Sequence, residues 1–166
     1  MDSDLGEYIY EKCFPKYVQP PLKLIQVSSA VPISVVRSLD AAFRLFLVDH
    51  AASLNAVRTT LEVFMDELKV PRRKKTQKTD GTRKSERRSL HNRIEYAITQ
   101  RKSKAHHKDA LLAVKTLGND GSHGTKTTFD NVADAFDVLE SLLAAFYPGD
   151  GQTTDQIVRR TLNRRR

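Results

Sequence analysis

The stretch FDNVADAFDVLESLLAAFY, residues 129–147, decides the fold. Phe129, Val132, Ala133, Phe136, Leu139, Leu142, Leu143 and Phe146 recur at threes and fours, while Asp130, Asp134, Asp137 and Glu140 fall largely between them. A helix of 3.6 residues per turn gathers the two sets on different faces, and the apolar face then has to be covered by other helices. Thr128 stands at the N-cap position, where a hydroxyl oxygen accepts from the first free amides. Asp130 in the first turn suits the positive end of the helix dipole, and Pro148-Gly149 stops the helix.

The partners for that face lie upstream. Leu111, Leu112, Val114 and Leu117 predict a helix over 107–117 that stops at Gly118, because glycine is favoured just past a helix end. Leu90, Ile94, Ala97 and Ile98 predict another over 86–100. Leu54, Val57, Leu61, Phe64 and Leu68 predict a helix over 50–69, closed by Val70-Pro71. Ile33, Val36, Leu39, Phe43 and Leu47 predict the first, over 33–48, with Pro32 at its start and a turn near Asp49-His50. The expected fold class is all-α: a bundle of about five helices spanning 33–147. Phe43, Leu61, Phe64, Ile94, Leu112, Phe136, Leu139 and Leu143 are expected in one core.

Three segments do not fit that periodicity. Residues 1–32 carry Pro15, Pro20, Pro21 and Pro32 and read as extended, with Leu22–Val27 either a short strand or a strap over the bundle. Residues 71–85, PRRKKTQKTDGTRKS, contain no apolar side chain and read as a basic flexible loop with a turn at Asp80-Gly81. Residues 148–166 read as a short helix and a basic tail ending in Arg164, Arg165 and Arg166.

Composition removes several function classes. No run approaches the eighteen or so uncharged apolar residues that a membrane span needs, so no membrane role is expected. The acidic start MDSDLGEYIYEK has no apolar core of a secretory signal. Cys13 is the lone cysteine, which rules out an intrachain disulfide and a cysteine zinc cluster and fits a cytoplasmic location. His106 and His107 are adjacent and make a poor ligand pair, so neither a metal nor a cofactor is expected. There is no phosphate-binding loop, dinucleotide fingerprint or serine elbow.

Charge is the positive signal. The net charge is +8, yet residues 69–108 hold 15 Lys and Arg against 3 Asp and Glu, +12 in all, which leaves −4 on the rest. A basic middle on an acidic remainder points to an anionic partner, RNA or DNA first, and a plain solvated loop is the competing reading. The residues expected to carry such binding are Arg72, Arg73, Lys74, Lys75, Arg83, Lys84, Arg87 and Arg88. Arg159, Arg160 and the terminal arginines form a second candidate patch.

One short motif adds chemistry. The run VKTLGNDGSHG, Val114–Gly124, precedes the decisive helix. With Ala51-Ala52, Arg58, Leu61-Glu62, the stretch Leu90–Ile94 and the lead-in Val31-Pro32, it resembles domain of unknown function 4145, a family similar to the HEPN superfamily (higher eukaryotes and prokaryotes nucleotide-binding). The resemblance implies a HEPN-like bundle, a homodimer, and association with restriction or phage-defence partner proteins. Active HEPN ribonucleases place an Arg before a polar residue and a His four positions further on. The Arg then stabilises charge on phosphorus and the His moves a proton, without metal. By that correspondence Asn119 and His123 take the polar and His positions, while the Arg position holds Gly118. Lys115, one turn earlier, is the nearest substitute cation, although it lacks the guanidinium fork. A plainer reading of the same residues is that Gly118-Asn119 ends a helix and His123 orients the turn. Phe46 and Phe146 are expected as surplus apolar side chains for the dimer face. Three functions follow from these observations: a nucleic-acid-associated or interaction module, a dimeric metal-independent endoribonuclease, or a structural dimerisation domain.

Overall fold

The computed structural model describes Pro15 and residues 17–77, 81–100, 105–121 and 127–148. The chain runs α1 (Ile33–Leu45), α2 (His50–Glu67), β1 (Arg73–Gln77), β2 (Arg83–Arg87), α3 (Leu90–Thr99), a 3₁₀ turn (Ala105–His107), α4 (Lys108–Asp120) and α5 (Phe129–Phe146). Among the described residues five helices and a two-stranded sheet thus make a mostly helical domain. The expectations for His123 and for residues 149–166 lie outside the described residues.

Helix α2 is the axis of the bundle and packs against α1, α3, α4 and α5. It needs apolar residues on more than one side, and Leu54, Val57, Leu61, Phe64 and Met65 are all fully buried. The α1–α2 hairpin is set by Asp49, whose carboxylate accepts from the Ala52 amide at 2.9 Å and caps α2. Two buried hydroxyls then tie the pair together. Ser53 Oγ donates to the Ala42 carbonyl at 2.9 Å, and Thr60 Oγ1 bonds Ser38 Oγ at 3.0 Å. The polar groups are thereby satisfied inside the core instead of being left unpaired.

Helix α2 ends in a Schellman motif. Lys69 adopts φ +56°, its amide donates to the Asp66 carbonyl at 2.8 Å, and the Val70 amide donates to the Met65 carbonyl at 3.0 Å. Val70 is buried just beyond, and Pro71 prevents any continuation. The decisive helix of the sequence is α5. Thr128 and Asn131 form a capping box at its start, Asp130, Asp134 and Asp137 are exposed, and Phe136, Leu139, Leu142 and Leu143 enter the core. Residues 17–32 have no regular structure, yet Ile25 and Val31 are buried against the helices, and the Gln26 amide donates to Glu140 at 2.8 Å.

Five expectations are corrected. The segment 71–85 contains two antiparallel strands, paired Arg73 with Arg87, Lys74 with Glu86, Lys75 with Ser85, Thr76 with Lys84 and Gln77 with Arg83. Backbone pairing and a left-handed Gly81 (φ +82°) suffice to form it without an apolar face. Consequently α3 begins at Leu90, where Ser89 caps it, and not at 86. Gly118 does not end α4, which continues to Asp120. Leu112 is only partly covered, and its neighbour Leu111 fills the core position instead. Phe46 is buried beside Phe129 and Phe136, and Phe146 meets Phe64 edge-to-face at 5.0 Å, so neither is surplus.

Candidate functional site

Register sorts the hairpin's charges. Cross-strand partners share a face, and faces alternate along each strand. One face therefore carries Arg73, Arg87, Lys75, Ser85, Gln77 and Arg83: four cations and no acid. The other carries Lys74, Thr76, Lys84 and Glu86, with Lys84 bonded to Glu86 at 2.9 Å. That bond, and the charge of Lys84 and then Lys74, hold the Glu86 carboxyl below its ordinary range. On the acid-free face Arg73 donates to Ser85 Oγ at 2.8 Å and to the Ser85 carbonyl at 2.7 Å, which orders its guanidinium across the ribbon.

At the hairpin's base the acid-free face runs into a cleft of about 430 Å³ between α2, the strands and the start of α3. Arg58, Arg72, Arg87, Arg88 and Arg93 line it together with Glu62. The base is closed by the Arg88 amide donating to the Arg72 carbonyl at 2.8 Å. Arg88 also lays its guanidinium over the Tyr96 ring, 4.4 Å from the centroid. Arg93 is the structural member of the set. It is buried, and it donates to Asp66 at 2.6 Å, to the Val70 carbonyl at 3.1 Å and to the Glu62 carbonyl at 3.2 Å. Arg72 forks onto the same Asp66, and these two arginines hold the Asp66 carboxyl below its ordinary value against a smaller opposing effect of burial. Glu62 is held more loosely, 3.5 Å from Arg58 and 3.9 Å from Arg87.

Of the residues expected to bind nucleic acid, Arg72, Arg87 and Arg88 meet in the cleft. Arg73 and Arg83 share the acid-free face with Lys75, and Lys74 and Lys84 lie on the opposite one. Arg58, which in the sequence stands only among the residues that carry the family resemblance, and Arg93 are the additions that the fold makes to this set. The signal for Arg93 was its position: it falls three after Leu90 and four before Ala97, inside the apolar stripe of α3. A charge in such a stripe has to find buried acceptors.

The motif residues Lys115 and Asn119 are half-buried on α4. Gly118 sits between them against α2, where a Cβ would lie 2.5 Å from Arg58 Cβ and 3.2 Å from the Leu54 carbonyl oxygen. Gly121 is as tight, its Cβ position being 2.4 Å from the Ala51 carbonyl oxygen. No side chain fits at 118 without moving α2, which is the physical reason for a glycine there. Among the described residues no group of three or more His, Cys, Asp or Glu is placed to hold a metal ion, and no helix is long and apolar enough to cross a membrane.

No curated protein and no solved structure matches this chain. A family model described as a domain of unknown function does match, over residues 40–165, which takes in every helix but the start of α1, the hairpin, the cleft and the GN motif. The chain belongs to the DUF4145 family.

Proposed function

We propose that this DUF4145 domain is a HEPN-like nucleic-acid-binding module that grips the phosphate backbone through its hairpin and serves a restriction or phage-defence system. The observation that carries the binding is the segregation of Arg73, Lys75, Arg83 and Arg87 onto one face without an acid among them. A two-stranded ribbon of that kind is narrow enough to lie along a groove, and its cations neutralise phosphates whatever the base sequence. The link to defence systems rests on the resemblance of the GN motif.

The test compares the two faces. Affinity for labelled RNA and DNA duplexes and single strands is measured by fluorescence anisotropy across a salt series. Neutralising Arg73, Lys75, Arg83 and Arg87 should flatten the log–log salt slope by roughly three to four, since each phosphate contact contributes about 0.7–0.9. Neutralising Lys74 and Lys84 should change it far less. Equal effects from both faces, or none from either, would remove the reading.

A second reading, a metal-independent endoribonuclease acting as a homodimer, draws support from one contact. Arg58 of α2 packs against Gly118 and so brings a guanidinium-bearing residue beside the GN motif from another helix. Cleavage in chelator that is lost in both His123→Ala and Arg58→Gln, from a protein that sediments as a dimer, would establish it. A monomer without cleavage would dismiss it.

A further inference from the structure

The arginine cleft has more cation than its own carboxylates can use. Five arginines line the cleft with Glu62, and Asp66 behind them pairs with Arg72 and Arg93, which leaves a surplus of three positive charges; the N-terminal end of α3 at Ser89 and Leu90 opens onto the same space. The Nε atoms of Arg58, Arg88 and Arg93 are buried and have no hydrogen-bond partner among the described residues. Of these, Arg93 is 3% exposed. Buried guanidinium N–H groups without acceptors are costly, and the side chains of Arg58, Arg72 and Arg87 stay 30%, 70% and 80% exposed, which leaves guanidinium surface for an anion in the cleft. Glu62 does not supply them, because its contacts at 3.5 and 3.9 Å are longer than charge-assisted hydrogen bonds.

We propose that the cleft binds a terminal phosphate monoester, the phosphate at the end of a nucleic-acid strand whose backbone follows the hairpin. This rests on the hairpin reading above. Two observations favour an end over an internal phosphate. The acid-free face leads along Arg83, Lys75 and Arg73 to Arg87, and there it meets α2 and α3, so a backbone tracking it runs into a wall. The charge also suits an end. An internal phosphodiester carries one negative charge, whereas a monoester with a second pKa near 6 carries about −1.5 to −2 at pH 7, closer to the cleft's surplus. Arginine forks offer that group paired donors, and the cleft's volume of about 430 Å³ accommodates the phosphate with its terminal sugar.

The experiment uses the full chain and one oligonucleotide in three forms: 5′-phosphorylated, 3′-phosphorylated and with both ends free. Anisotropy should show one phosphorylated form bound roughly tenfold or more tightly than the unphosphorylated strand. Which form it is identifies the end. The preference should strengthen as pH rises through about 6, as the monoester takes its second charge. R58Q and R88Q, tested separately so that loss of folding in one does not remove the test, should abolish the preference while weakening unphosphorylated binding by no more than the loss of one charge explains. Neutralising Lys75 and Arg83 should do the reverse, weakening all three forms and keeping the preference. Inorganic phosphate should compete for the preference only. Equal affinity for the three forms, a preference that survives both R58Q and R88Q, or a cleft that takes inorganic phosphate with no preference for any strand end, would overturn the proposal. Failure of the hairpin reading is separate: it appears as affinity unchanged on neutralising Lys75 and Arg83.

Discussion

The β1–β2 hairpin and the α2–α4 crossing are built on opposite principles. At the crossing Gly118 and Gly121 let two helix backbones approach until even a methyl group has no room, with Leu54 and Val57 fully buried alongside. In the hairpin every residue of both strands is exposed except Thr76, and the strands pair chiefly with each other. The crossing carries stability and leaves nothing free for a ligand. The hairpin contributes little to the core and leaves its chemistry open to solvent. Between them lies Arg93, which belongs to the core by burial and to the charged surface by chemistry.

That contrast can be broken first at its junction. Arg93→Ala should cost about 2–3 kcal/mol in denaturant unfolding, less than for a fully enclosed pair because Asp66 keeps 27% of its side chain exposed. Arg93→Lys should recover little of this, since an ammonium cannot reach Asp66 and two carbonyls with the same fork. At the crossing, Gly118→Ala and Gly121→Ala should each destabilise by about 1–3 kcal/mol through overpacking, which at Gly118, inside α4, outweighs a gain in helix propensity of about 1 kcal/mol. A stabilising effect at either position would show that α2 yields easily.

Acid sharpens the same comparison. The Asp66 carboxyl titrates below its ordinary value of 3.8 in the folded protein, chiefly through its hydrogen bond from Arg72 and then the charge of Arg93. Its contribution is therefore full above that value and is lost as pH falls through the depressed one. The penalty of Arg93→Ala, measured at successive pH values, should shrink only below about pH 4. A penalty constant down to pH 2 would mean that Arg93 acts through the two carbonyls alone.

Smaller effects remain. Lys69 occupies the left-handed position that closes α2, so Lys69→Gly should stabilise by up to about 1 kcal/mol. Neutralising Lys75 and Arg83 should leave Tm within about 2 °C of the parent while weakening any polyanion binding, as expected where a side chain buries nothing. A large drop in Tm there would mean that the hairpin helps to hold the bundle together.

The legibility of the chain follows the same division. Helices α1, α2 and α5 were readable because their apolar spacing, Pro32, Asp49 and Thr128 all act locally. The hairpin was not, since RKKTQ and RKSER lack the alternation that marks a half-buried strand, and only Asp80-Gly81 hinted at a reversal. Gly118 misled because a glycine near the end of a periodic run reads as a stop, whereas its reason lies across space in Arg58. For the site, the charge run located Arg72, Arg87 and Arg88. Arg93 lies in the same run, but its burial, and the arrival of Arg58 beside it, come only from the packing of α2 against α3.

The attachment of the hairpin has a mechanical consequence. Strands of five residues make an arm about 17 Å long, and it is fixed to the body at one end by the Arg88–Arg72 backbone bond and the stacking of Arg88 on Tyr96. Such an arm multiplies movement: a tilt of about 10° at the base carries the tip about 3 Å, close to the rise of one residue along the strand. Pivot and grip are separate residues, so the reach of the arm and the strength of its hold can be altered independently by changing Tyr96 or by changing Lys75 and Arg83.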